Sequence, residues 1–102
     1  MIQIEKILDY AIEKDASDIH FICGIKPMLR IIRDLVEVEA SDILTPEDMN
    51  EIYDYLVRGN IDKDNVFQKT KKLDTFLEYT DKRFRVNISL SEDIPLFTLR
   101  II

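Results

Sequence analysis

The chain has 102 residues, 46% of them hydrophobic and 33% charged, so it is long enough for one compact domain and too apolar to be disordered. Its formal net charge of −6 argues against non-specific binding to nucleic acid, because phosphate contacts are made mainly by Lys and Arg. A single cysteine excludes an intrachain disulfide. The absence of a secretory signal pattern, and of any apolar run near the ~20 residues of a membrane helix, predicts a cytoplasmic protein without direct membrane insertion.

The first third of the chain predicts a helix followed by three strands. Apolar residues recur at helical spacing over about residues 2–14. Residues 18–23 and 28–33 are rich in β-branched and aromatic residues, and the turn at 24–27 predicts that they form a hairpin. Residues 35–39 form a short third strand. The helical stripe consists of Ile4, Ile7, Leu8, Ala11 and Ile12.

The middle of the chain predicts two helices. Thr45 can cap free backbone N–H groups, Pro46 fits the first helical position, and Asp48 completes a capping-box pattern. Gly59 is a natural C-terminal stop for this helix. A shorter helix is expected from residue 62 to about residue 71.

The last third predicts three strands, at residues 73–79, 83–90 and 96–102, with a tight turn at 80–82 and a loop at 91–95. The alternation in the second of these strands is strict, which places Phe84 and Val86 on one face and Arg83 and Arg85 on the other. The order of elements predicts a single α+β domain, 1–102, with a mostly antiparallel sheet and helices packed on one face.

No catalytic set is visible in this chain. One histidine excludes a site built from several histidines, and two glycines leave no phosphate-cradling loop of the Walker type. His20 and Cys23 lie three residues apart on one predicted strand and therefore on opposite faces, so Cys23 is interpreted as a small core residue. We expect no ATPase activity, bound cofactor or metal site in the chain alone.

Two stretches of sequence resemble a known family. The first begins with residues 16–21. The second consists of residues 83–87 and residues 97–102, and Arg85 and Arg100 within it are fifteen positions apart. In full, the stretches read Ala16-Ser17-Asp18-Ile19-His20-Phe21, then Gly24, Pro27-Met28 and Arg30, and later Arg83-Phe84-Arg85-Val86-Asn87 and Phe97-Thr98-Leu99-Arg100-Ile101-Ile102. Together they resemble the N-terminal domain of PilT-like retraction ATPases of type IV pili, in the type II/IV secretion ATPase family.

This resemblance implies a PAS-like fold, with a linker and a RecA-like ATPase domain following it in a longer, hexameric protein. It also implies that Arg85 and Arg100 reach the phosphates of ATP, bound with Mg²⁺ on a RecA-like domain of the same or a neighbouring subunit. Arg83 could extend the same positive patch. The implied partners are the ATPase domain, neighbouring subunits and a platform protein at the inner face of the cell membrane, where pilus retraction drives twitching motility.

Other interpretations of the same residues stay open. The arginines could simply pair with surface carboxylates such as Glu78, and Asp18 with His20 could tie their strand to the first helix. The chain could also belong to a pilus extension or type II secretion ATPase, or be a stand-alone PAS-like sensor or interaction module. Retraction is preferred because the first motif lies close to the N-terminus, where extension and secretion ATPases generally carry additional domains.

The sequence departs from the family pattern in two turns. Residues 31–34 lack the Asp-Gly turn that often follows the first hairpin arginine. The loop at 91–95 contains Glu92 and Asp93 where the family has a polar, glycine-containing loop. We expect this second change to bring negative charge near the proposed arginine site.

Overall fold

Three helices and six strands follow one another in the order predicted from the sequence. The computed structural model describes residues 2–102. None of the helices in this range is long and apolar enough to cross a membrane. The elements are α1 (Ile4–Glu13), β1 (Asp18–Phe21), β2 (Met28–Ile31), β3 (Asp34–Glu37), α2 (Pro46–Val57), α3 (Ile61–Thr70), β4 (Leu73–Tyr79), β5 (Lys82–Ser91) and β6 (Ile94–Ile101).

All six strands form one sheet in the order β3-β2-β1-β6-β5-β4, and every neighbouring pair is antiparallel. The first and last strands of the chain therefore lie side by side in the centre, where Asp18 pairs with Arg100 and Ile19 with Leu99. The predicted α+β class is confirmed. The central pairing of β1 with β6 joins the two halves of the sequence into a single unit.

The inner face of the sheet carries the core. Phe84 and Val86 on β5 and Leu99 on β6 have no solvent exposure, in keeping with the predicted alternation. They pack in one cluster with the apolar stripes of α1 and α2, which include Leu8 and Ile52. Because the helices cover this face, the opposite face of the sheet is left open.

A capping box starts α2, and tyrosine hydroxyls attach the helices to the rest of the domain. The Thr45 hydroxyl accepts from the Asp48 N–H, and the Asp48 carboxylate accepts from the Thr45 N–H at 2.9 Å, so the predicted capping box is confirmed. Tyrosine hydroxyls that donate to carboxylates link α1 and α3 to the rest of the domain. These bonds join Tyr53 to Asp64 (2.6 Å), Tyr55 to Glu5 (2.9 Å) and Tyr79 to Asp9 (2.7 Å).

The prediction of a loop over residues 91–95 is wrong. β5 continues to Ser91 and β6 starts at Ile94, and between them Glu92 and Asp93 form a two-residue turn with φ of 51° and 66°. Two positive φ angles match the right-handed twist of a hairpin, and Asp tolerates this conformation better than most residues. Pro95 is accommodated because β1 pairs with β6 only as far as Phe97, so Pro95 faces no second strand.

The glycine-free turn between β2 and β3 is also tight. Ile31 pairs with Asp34, and Ile32 between them has φ of 59° and is 88% exposed. A β-branched residue is strained in this left-handed region, which Asp adopts more readily. The departure from the pattern thus changes the local conformational energy and leaves the hairpin intact.

Candidate functional site

A row of charged side chains crosses the open face of the sheet. Arg85 on β5 lies directly opposite Arg100 on β6, Arg100 lies opposite Asp18 on β1, and Asp18 lies opposite Arg30 on β2. We call Arg85, Arg100, Asp18 and Arg30 the arginine row. Cross-strand partners on one face have Cβ atoms about 5 Å apart, so three guanidinium groups and one carboxylate share a short path across the sheet.

The structure brings Arg85 and Arg100 together on the open face of the sheet. Both are exposed, both lie on the face away from the core, and they occupy paired positions on adjacent strands. Like charges placed directly opposite one another are destabilising, and this pair sits on the solvent-facing side, where an anion could reach it. The pair therefore presents two forked donors that match the geometry of phosphate oxygens.

Arg100 has one carboxylate partner. Its Nε donates to Oδ1 of Asp18 at 3.0 Å, and the side chains of Arg100 and Asp18 are 69% and 7% exposed. Burial by itself would raise the pKa of Asp18, but the hydrogen bonds from Arg100 and Ser17 outweigh it, so the pKa of this carboxyl lies below its usual value of 3.8. Asp18 is therefore ionised and bound to Arg100 at neutral pH.

The structure overturns the suggested Asp18–His20 pair and bears out in part the suggestion that the arginines pair with carboxylates, since Arg100 binds Asp18. Asp18 bonds across the sheet to Arg100 and to its neighbour Ser17, and the hydrogen bond that His20 makes is with Thr98 on β6 (Nδ1 to Oγ1, 3.5 Å). Neither side chain ties β1 to α1. Glu78 lies opposite Arg83 on the edge pair of strands and takes no part in the arginine row. The local sequence gives no signal for the Asp18–Arg100 contact, because it depends on β1 lying beside β6.

Arg85 differs from Arg100 because no carboxylate of residues 2–102 lies within 4 Å of its guanidinium. Arg83, two residues earlier on the same face, places its guanidinium carbon 4.0 Å from the ring centroid of Phe76. That stacking directs Arg83 toward the edge strand β4 and away from Arg100. Of the two opposed arginines, Arg85 therefore has all of its N–H donors free, whereas Arg100 uses its Nε–H to bind Asp18.

The negative charge that was expected from residues 91–95 does not lie near the arginine row. Glu92 and Asp93 form the turn at the far end of the β5–β6 hairpin, seven residues along β5 from Arg85. At about 3.3 Å per residue the separation is roughly 20 Å. The acidic turn therefore lies at the opposite end of the sheet from the arginine row.

A groove of about 520 Å³ lies between α1 and the segment that connects β3 to α2. Tyr10 is its one aromatic side chain, and Lys6, Glu39 and Asp42 give it mixed charge. Within residues 2–102, no group of three or more His, Cys, Asp or Glu residues could hold a metal ion. Cys23 is partly exposed and packs against the core, as its interpretation as a core residue requires.

No protein-family model matches the chain, and no curated protein sequence matches it at a significant level. Its fold is nevertheless present in solved structures of larger ATPases. The pilus retraction motor PilT, solved with bound ADP, superposes on 98% of this chain with a TM-score of 0.83 and 21% identity. The ATPase DotB of Legionella pneumophila covers 97% (TM-score 0.80, 22% identity), and DotB of Yersinia pseudotuberculosis covers 96% (0.74, 17%).

The chain spans 29%, 28% and 29% of the lengths of those three proteins, respectively. At these levels of identity the likeness shows a shared fold. The sequence resemblance to PilT-like ATPases is thereby confirmed at the level of the fold.

Proposed function

We propose that this chain is the N-terminal regulatory and assembly domain of a hexameric motor ATPase that powers type IV pilus retraction. In this proposal Arg85 and Arg100 contact the phosphates of ATP held on a RecA-like domain. The observation that carries it is the exposed pair of opposed arginines on the open face of a sheet whose fold is shared with PilT. The domain would close over the nucleotide and move relative to the ATPase domain during each cycle.

The chemistry of the donor set fits a polyphosphate. Two guanidinium groups on adjacent strands offer fixed forks of N–H donors to oxygens that gain charge during phosphoryl transfer. Mg²⁺ would be held with the nucleotide by the ATPase domain, since residues 2–102 offer no cluster of metal ligands. Arg83, engaged by Phe76, would contribute at most to the surrounding positive potential.

The remaining partners belong to the same proposal. Neighbouring subunits would complete the hexamer, and a platform protein at the inner face of the cell membrane would receive the motion, so the domain would work in the cytoplasm. The similarity to DotB, which is as close in identity as the similarity to PilT, favours a second candidate, the corresponding domain of a secretion ATPase. A retraction defect on loss of the gene, as opposed to a secretion defect, separates the two.

The direct test has two steps. The coding sequence beyond Ile102 should continue into a Gly-rich Walker A loop. In that longer protein, changing Arg85 or Arg100 to Ala should lower ATP turnover at least about tenfold, or ~1.4 kcal/mol of transition-state stabilisation, while folding is retained. Lys should restore little activity because it lacks the fork. Arg33→Ala, a charge-matched change at the exposed β2–β3 turn, should leave turnover unchanged.

Two results would contradict the proposal. One is full turnover in the double variant of Arg85 and Arg100. The other is ATP binding by the 102-residue chain alone in the micromolar range, measured by calorimetry, because the proposed site is shared with a second domain and this chain has no Walker motif.

A further inference from the structure

We propose that Asp18 is a positioning residue that sets the orientation of the Arg100 guanidinium so that its two terminal amino groups point away from the sheet toward a phosphate. This inference rests on the proposed function, and it explains how one of the two phosphate-binding arginines is oriented before the nucleotide arrives. Asp18 itself would touch neither the nucleotide nor the reacting atoms. Its effect would pass through the hydrogen bond to Nε of Arg100.

The atom of Arg100 that Asp18 engages matters for this role. A guanidinium carries five N–H donors, one on Nε and four on the terminal nitrogens. Asp18 accepts from Nε at 3.0 Å, and no acceptor within residues 2–102 is bonded to the terminal nitrogens. Phosphate oxygens are recognised by paired, parallel N–H groups, so a bond at Nε fixes the plane of the fork and leaves an outward-facing pair of donors in place.

The carboxylate is itself held firmly. Asp18 belongs to the central strand β1, which pairs with β2 at Arg30 and with β6 at Arg100. The Ser17 hydroxyl donates to its Oδ2 at 2.9 Å, and the Ser17 N–H donates to the carbonyl of Arg30 at 2.9 Å. The Asp18 side chain is only 7% exposed, so the residues packed around it restrict the movement of its carboxylate. The two arginines of the proposed phosphate site therefore differ, because Arg100 is pre-oriented and Arg85 is unrestrained.

A purely electrostatic role for Asp18 makes the opposite prediction for anion binding. A carboxylate beside Arg100 lowers the local positive potential, so removal of its charge should strengthen phosphate binding. If Asp18 positions Arg100, loss of the acceptor should weaken binding despite the gain in net positive charge. Asn separates the two effects, because its carbonyl oxygen can still accept from Arg100 Nε while its amide donates to Ser17 Oγ.

The experiment compares arginine Nε–Hε signals in ¹⁵N NMR spectra of the 102-residue chain. In the unmodified chain the Arg100 signal should be ordered and protected from exchange with water, and the Arg85 signal should be neither. Asp18→Ala should abolish the protection of Arg100, and Asp18→Asn should keep most of it. Asp74→Ala is the matched control, since it removes an exposed carboxylate from the same face that is bonded to Asn87.

A mobile Arg100 in the unmodified chain would overturn the inference, and this result needs no variant to fold. An Arg100 signal that stays ordered in Asp18→Ala would do the same. Inorganic triphosphate, titrated at low salt into the same samples, gives the functional arm. Asp18→Ala should bind it severalfold more weakly than Asp18→Asn does, and equal or tighter binding by the Ala variant would reject the positioning role.

Failure of the proposed function looks different from failure of this inference. Triphosphate that perturbs only signals away from Arg85 and Arg100 in the unmodified chain would contradict the proposed nucleotide contact. In that outcome the order of Arg100 and its dependence on the acceptor at position 18 still decide whether Asp18 acts on Arg100.

Discussion

The two faces of the sheet differ in the side chains they carry and in their exposure to solvent. On the inner face, aromatic and aliphatic side chains such as Phe84 and Leu99 have no solvent exposure and are covered by helices. On the outer face, Arg85 and Arg100 oppose each other as like charges, an arrangement that does not favour stability. The comparison shows that the alternation of a single strand can assign consecutive residues to the core and to an exposed, charged surface.

The largest expected effect tests this difference between the faces at two neighbouring positions on β5. Phe84→Ala should lower the free energy of unfolding by about 3–5 kcal/mol, because it leaves a cavity among fully buried side chains. Arg85→Ala, one residue further, should change it by less than about 0.5 kcal/mol, because its side chain is exposed. Urea unfolding of both variants measures the difference. Similar midpoints for the two would mean that the faces do not divide the roles as described.

The secondary structure was largely predictable because its signals are local. The capping box at Thr45 and Asp48 and the strict alternation after Arg83 each specify an element within a few residues. The turn at Glu92 and Asp93 was missed because neither residue is a glycine, and the sequence therefore suggested a longer loop.

The site was predictable only in part. Alternation placed Arg85 opposite the core-facing residues of its strand, and the resemblance paired Arg85 with Arg100. Their direct opposition and the contact of Arg100 with Asp18 depend on strand order, which joins residues 82 positions apart. No periodicity within one segment carries that information, because the pairing is decided by how the whole core closes.

An effect of intermediate size is expected among the helices that cover the inner face of the sheet. Tyr53→Phe should cost about 1 kcal/mol, because it removes the 2.6 Å bond to Asp64 that links α2 to α3. Tyr10→Phe is the matched control, since the Tyr10 hydroxyl has no hydrogen-bond partner in residues 2–102, and it should leave stability unchanged.

Because of the same hydrogen bond, the stability of the fold should depend on pH in the alkaline range. Burial and the bond to the Asp64 carboxylate raise the pKa of Tyr53 above its usual 10.0, since both favour the neutral phenol. A raised pKa in the folded state stabilises the fold fully below pH 10.0, and this contribution is lost as the pH rises through the folded-state pKa. The difference in stability between the unmodified chain and Tyr53→Phe should therefore shrink only in strong alkali. If this difference in stability already shrinks near neutral pH, the titration of a group other than Tyr53 is responsible for the change.

The smallest expected effect concerns Asp18 on the outer face. Its contribution to stability should be lost as the pH falls, whereas that of Tyr53 is lost as the pH rises. The pKa of Asp18 is lowered in the fold by Arg100 and Ser17 against the effect of burial, so the ionised carboxylate stabilises the chain above its unfolded value of 3.8. That contribution is lost as the pH falls through the lower folded-state pKa. Because Arg100 is 69% exposed, solvent screens the pair and the change should be modest.

Asp18→Asn isolates this contribution, because the amide does not titrate. Its stability relative to the unmodified chain should rise as the pH falls below about 4, as followed by urea midpoints at successive pH values. In an Arg100→Ala background the same substitution should show a weaker rise, because a main cause of the lowered pKa has been removed. An identical rise in both backgrounds would assign the acid sensitivity to groups other than Arg100, such as Ser17, and Arg100 would then be held to Asp18 too loosely to be oriented by it.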